Sequence, residues 1–105
     1  MSIVKGRPEL EKLMQESNRL IMVKFVAPHC SGCNTLAPLL HQIAMEQENN
    51  LDLVEIDMTE EPELAIDMKV RSAPTVVFFK NQQLLANLPG VKPKKIYQET
   101  VQQHL

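Results

Sequence analysis

Two cysteines, Cys30 and Cys33, stand three positions apart with Ser31 and Gly32 between them. A pair of thiols at this spacing could act as a staple, as part of a metal site, or as a reversible disulfide. A bridge between them closes so small a loop that it constrains almost none of the unfolded chain, so stapling is not its use. Tetrahedral zinc takes four ligands, and with no second cysteine pair in the chain a metal would have to bridge two protomers. Thiol chemistry is the leading reading. The pair follows an apolar run, Val23 to Ala27 interrupted by Lys24, and precedes Leu36, Leu39, Leu40 and Ile43 at helical spacing. That order sets Cys30 at the junction of a buried strand and a helix N-terminus. Unpaired N–H groups and the macrodipole at a helix start favour a thiolate, the attacking species in disulfide exchange. Cys30 is therefore the expected nucleophile. Cys33, one turn further on, is the expected resolving thiol, which attacks the mixed disulfide and releases the substrate.

The elements that must hold this pair can be read from periodicity. Pro8 opens a helix with Leu10, Leu13 and Met14 on one face, ending near Ser17-Asn18. Leu20 to Ala27 has the continuous apolar character of a strand covered on both sides. The helix after the cysteines contains Pro38, where a kink is expected, and stops in the polar segment from Glu46 to Asn50. Leu51 to Asp57 alternates as a half-buried strand does. Thr59 stands where a cap would, ahead of Glu60, Glu61 and Pro62, and predicts a helix to about Lys69. Pro74 to Phe79, the turn Asn81-Gln82-Gln83 and Leu84 to Leu88 read as a hairpin. A last helix begins at Lys92-Pro93 with Ile96, Tyr97, Val101 and Leu105 roughly on one side. With a weak first strand at most around Ile3-Val4, the order is (β)αβαβαββα. It predicts an α/β fold: a mixed sheet with helices on both faces.

Composition bounds what such a domain can do. The chain has 105 residues, enough for one domain with its own core and not for two. Eleven basic against thirteen acidic residues give a formal charge of −2, which argues against nucleic acid or anionic lipid as a partner. No secretory signal is visible and no apolar stretch is long enough to span a bilayer, so a cytoplasmic location is the expectation. In a reducing compartment a close cysteine pair is more often chemical than structural. The absence of tryptophan is also informative.

Three segments together resemble the thioredoxin family over almost the whole chain: Val23 to Cys33 followed by Pro38, the strand ending in Ile56-Asp57, and Val70-Arg71-Ser72-Ala73-Pro74-Thr75 leading into Phe78-Phe79-Lys80-Asn81. The resemblance implies a thioredoxin fold, a redox-active Cys30–Cys33 disulfide and no bound cofactor or metal. It implies that Pro74 follows a cis peptide bond and packs on the disulfide, that Ala73 offers backbone hydrogen bonds to a substrate chain, and that Gly90 helps line the docking groove. The sequence also departs from the family pattern. The usual Trp-Cys-Gly-Pro-Cys is here His29-Cys30-Ser31-Gly32-Cys33, and tryptophans usual at Val26 and His29 are missing. A buried aspartate of the family, on the central strand, is replaced by Lys24.

A protonated lysine cannot accept a proton from Cys33. Buried beside it, Lys24 would favour thiolates by opposite charge and make the disulfide more oxidising. The plainer reading lays its stem on apolar surface and its ammonium in solvent. Leu53, Glu55 and Asp57 share one strand face, and because Leu53 and Glu55 bracket the place where a lysine of the family pairs with the missing aspartate, the resemblance makes Glu55 the expected partner of Lys24, with the charge order reversed. His29 would stabilise the Cys30 thiolate when protonated, or be no more than an exposed loop residue. The leading expectation is a monomeric thiol–disulfide oxidoreductase acting on protein disulfides and reduced by a thioredoxin-reductase-type donor. The alternative is a module of the same fold that binds partners or senses redox state with little turnover.

Overall fold

A run as apolar as Leu20 to Val26 is satisfied only when both its faces are covered, and the chain builds the rest of the fold around it. The computed structural model describes residues 4–105. Among these the order is β1 (Val4–Lys5), α1 (Arg7–Glu16), β2 (Leu20–Val26), α2 (Ser31–Glu46), β3 (Leu51–Asp57), α3 (Pro62–Asp67), β4 (Thr75–Lys80), β5 (Gln83–Pro89) and α4 (Lys94–His104). The strands form one sheet in the order β1-β3-β2-β4-β5. β3 pairs with β2 and with β1 in parallel, while β4 pairs with β2 and with β5 antiparallel. The expected mixed sheet is thus present, with β2 at its centre. Of the weak first strand, Val4 is confirmed and Ile3 lies outside the described residues.

Period-two alternation divides each strand between two cores. Ile21, Val23 and Phe25 face α1 and α3, packing with Leu10, Leu64, Ala65 and Met68. Leu20 and Met22 face the opposite side, where α2 contributes Leu36, Leu40 and Ile43 and α4 contributes Tyr97 and Val101. Helices therefore cover both faces. Lys24 continues the second face toward the start of α2, a charged residue in the register of a core position.

Local differences from the expected elements have identifiable causes. Thr59 does not cap a helix: its N–H and hydroxyl both donate to the Asp57 carboxylate, at 2.8 and 2.6 Å. A turn is thereby formed, and α3 begins only at Pro62. It stops before Lys69 because that residue takes a left-handed conformation, φ 62°, with the Val70 N–H returning to the Ala65 carbonyl. The hairpin turn is tighter than expected, with Asn81 and Gln82 both at positive φ, and Gln83 already pairs with Lys80. α2 spans Ser31–Glu46 with Pro38 in its interior, as expected. Ile96 and Leu105 are 36% and 44% exposed, leaving Tyr97 and Val101 as the buried face of α4.

Tyr97 does more than fill space. Fully buried, it accepts a hydrogen bond from the Lys92 N–H at 3.0 Å and donates to the Gly90 carbonyl at 3.4 Å. Removing the hydroxyl while keeping the ring leaves the Lys92 amide short of a partner. Tyr97→Phe should cost about 1 kcal/mol of stability, read as a fall in Tm of about 5 °C in a thermal melt.

Candidate active site

At the C-terminal end of β2 the chain turns through Ala27, Pro28 and His29, with His29 in the left-handed region at φ 59°. The turn delivers Cys30 as the N-cap of α2. Ser, Thr, Asp or Asn usually takes that position, where a side-chain acceptor meets an orphan N–H of the first turn. Here a sulfur does so: the Cys33 N–H donates to Cys30 Sγ at 3.1 Å. The two cysteines are joined as a disulfide with their Cα atoms 5.3 Å apart. They differ in access, since Cys33 is only 6% exposed whereas Cys30 stands half-buried at the surface.

The wall facing the disulfide comes from the loop before β4. Ala73–Pro74 is a cis peptide, as the family resemblance implied, and Pro74 is buried. Its carbonyl accepts the Gly90 N–H at 2.8 Å; Gly90, at φ 77°, thus lies behind Pro74 and holds it. Gly32 meets Pro74 from the helix side. A Cβ at Gly32 would lie 3.0 Å from Pro74 Cδ and 3.2 Å from Val91 Cγ2, so the absence of a side chain lets the first turn of α2 approach this wall.

Two clefts flank the sulfurs. One, of about 520 Å³, runs between His29, Cys30 and Gly32 on one side and Met58, Thr59, Arg71 and Ala73 on the other. The second, of about 420 Å³, opens onto Cys30, Cys33 and Asn34 and is floored by Lys24 and Glu55. Lys24 is 5% exposed; its register partner on β3 is Glu55, and the ammonium stands 3.9 Å from the Glu55 carboxylate. Glu55 is shared, because Lys5 on β1 approaches its other oxygen at 3.8 Å. Burial pushes Lys24 below the ordinary lysine range, with Glu55 opposing and Lys5 adding to the shift.

The structure therefore brings Cys30, Cys33, His29, Lys24 and Glu55 to one end of the sheet, with Ala73 and Pro74 across from the sulfurs and Gly90 behind them. Lys24 is buried along nearly all of its length with its ammonium at the second cleft, whereas His29 is exposed. Sequence reasoning missed Gly32 as a packing position, Lys5 as a second cation on Glu55, and Met58 and Arg71 as cleft residues. Only Gly32, inside the motif, carried a signal. Among the described residues no three His, Cys, Asp or Glu side chains are grouped to hold a metal ion, and no helix is long and apolar enough to cross a membrane.

A half-exposed and a buried cysteine at a helix start, faced by a cis-proline wall on a mixed α/β sheet, define a dithiol–disulfide exchange domain. Comparison with known proteins agrees. The sequence matches the Thioredoxin family over residues 3–103, and the chain belongs to that family. It is 33% identical over 105 residues to "Thioredoxin" of Bacillus subtilis, covering all of both chains. It is 40% identical over 98 residues to "NADPH-dependent thioredoxin reductase 3" of Arabidopsis thaliana, a match to 93% of this chain that spans only 18% of that protein. The X-ray structure of Fasciola hepatica thioredoxin superposes with a TM-score of 0.86 at 29% identity, over the full length of both chains. Family and cysteine pair together make this domain a protein thiol–disulfide oxidoreductase whose redox group is its own disulfide.

Two outcomes test the packing and the charge. Gly32→Val should overpack the wall formed by Pro74 and Val91, costing about 1–3 kcal/mol, and chemical denaturation measures the loss. Lys24→Met should raise thermal stability at neutral pH, since an apolar chain of similar length relieves the buried charge while Glu55 keeps Lys5. The unfolded chain holds the Lys24 proton up to about its ordinary pKa of 10.5, and the folded chain releases it earlier. Wild-type stability therefore recovers as pH rises through that window, so the advantage of Lys24→Met should shrink there in melts across alkaline pH.

Proposed function

We propose that this domain reduces disulfides in protein substrates through a Cys30 nucleophile and a Cys33 resolving thiol. The Cys30 thiolate attacks one sulfur of the substrate disulfide; a Cys30–substrate bond forms and the other substrate sulfur leaves as a thiolate. Cys33, as thiolate, then attacks Cys30 Sγ, which releases the second substrate sulfur and closes the Cys30–Cys33 disulfide. A reductase of the thioredoxin-reductase class supplies the electrons that reopen it, and a cytoplasmic setting accords with a close cysteine pair used for chemistry. The substrate chain lies in the cleft between Cys30 and Ala73, where the backbone before Pro74 offers it hydrogen bonds.

One observation carries the assignment of roles. Cys30 is the accessible sulfur and accepts the Cys33 N–H at 3.1 Å, while Cys33 is 6% exposed and reaches a substrate only through Cys30. A helix-start N–H directed at the sulfur favours its thiolate. The reading as a binding module with little turnover has no comparable support.

Dithiothreitol-driven reduction of a model protein disulfide should accelerate on adding the domain. Cys30→Ser should abolish the acceleration, and Cys33→Ser should accumulate a mixed disulfide between Cys30 and substrate, visible as a mass adduct. Unchanged acceleration in Cys30→Ser would overturn the assignment.

A further inference from the structure

Lys24 is the one charged residue among the described residues that the fold buries, and the exchange mechanism makes no use of it. Its surroundings are unusual. In the parallel register Lys5 on β1, Glu55 on β3 and Lys24 on β2 lie side by side across three strands. The single carboxylate stands 3.8 Å from one ammonium and 3.9 Å from the other, so when all three are ionised the row carries one uncompensated positive charge. Lys5 is exposed and its excess charge is solvated; the buried member is Lys24. The other neighbours leave this balance unchanged. β4 opposes Lys24 with Val76, Asp57 further along β3 is engaged by Thr59, and the remaining titratable groups at this cleft are His29 and the two cysteines.

We propose that Lys24 is the internal counter-ion of the thiolate created when the Cys30–Cys33 disulfide is reduced, and that Glu55 sets how much of that charge the sulfur feels. This deepens the dithiol reading and rests on it. In reduction by glutathione, two glutathione thiols supply the two electrons and become glutathione disulfide. The protein S–S bond breaks, one proton stays on one protein sulfur and the other is released, leaving the second sulfur as a thiolate. That charge develops in the cleft that holds the Lys24 ammonium, so reduction supplies the partner that the shared Glu55 only half provides. The lysine acts on the sulfur through space, as a tuning residue. Desolvation and Lys5, which together weaken the hold of Lys24 on its proton in the oxidised protein, are offset once the thiolate is present.

The test is the equilibrium of the full chain with glutathione buffers at about pH 8, close enough to the ordinary thiol pKa for the reduced pair to hold a thiolate, together with thiol titration of the reduced protein. Lys24→Met should move the equilibrium toward the disulfide about tenfold, or about 30 mV for this two-electron couple, and raise the lower thiol pKa. Lys24→Arg, which keeps the charge, should restore both toward wild type. Glu55→Gln should shift both in the opposite direction to Lys24→Met, a sign reversal that loss of packing would not produce. An unchanged potential in Lys24→Met, an arginine variant that behaves like methionine, or a Glu55→Gln shift that is absent or of the same sign overturns the proposal. A wild-type pair that never exchanges with glutathione overturns the dithiol reading as well, whereas a pair that exchanges but is blind to Lys24 overturns this inference alone.

Discussion

A helix start leaves backbone N–H groups without partners, and in this chain a sulfur atom meets one of them. The Cys33 N–H at 3.1 Å from Cys30 Sγ is the contact on which the site depends, because it fixes both cysteines at once. The first is held at the surface as the cap; the second, one turn inside the helix, is forced into the interior. Their inequality is a consequence of helix geometry and needs no further group. The contact also sets a direction: an N–H that meets a sulfur in the disulfide is already aimed at the charge that sulfur bears when the bond opens.

For the cap to face anything, α2 must approach the loop before β4, and a connected set of contacts holds that loop. Tyr97 of α4 bonds the Gly90 carbonyl and the Lys92 amide, the Gly90 N–H bonds the Pro74 carbonyl, and Pro74 meets the backbone of Gly32. The last helix of the chain thereby braces the wall opposite the disulfide, although it contributes none of the residues lining the two clefts. Of the two central residues of the motif, Ser31 is exposed, whereas Gly32 is the place where helix and wall would collide.

The same set of contacts explains what the sequence made legible. The central strand, both cysteine positions and the Ala73-Pro74 loop were readable because each has a local signature: a continuous apolar run, a pair at a strand-to-helix junction, a proline ahead of β-branched and aromatic residues. The Lys24–Glu55 pairing was legible only through the family resemblance, which sets an acid and a lysine across these two strands, here with the charges reversed. Lys5 was not, since a two-residue strand has no periodicity and its place beside Glu55 comes from the pairing of β1 with β3. Met58 and Arg71 escaped for a related reason: they come from loops whose folding back toward Cys30 is set by tertiary packing. Thr59 was misread as a cap because its local competitor, the Asp57 carboxylate two residues earlier, takes its N–H and hydroxyl first.

Net charge and local charge point in different directions here. The chain as a whole is acidic, at −2, yet the buried end of β2 presents a cation. An unpaired ammonium sealed in a core would shed its proton or unfold the domain. Lys24 escapes that choice because its tip opens into a cleft and a carboxylate stands 3.9 Å away, so it is desolvated enough to act on its surroundings and solvated enough to persist. Full compensation would defeat such an arrangement, since a carboxylate devoted to Lys24 alone would cancel its field before a neighbouring sulfur could feel it. By sharing Glu55 with an exposed lysine on the edge strand, the sheet leaves part of that field uncancelled in the cleft that Lys24 lines together with Cys30 and Cys33.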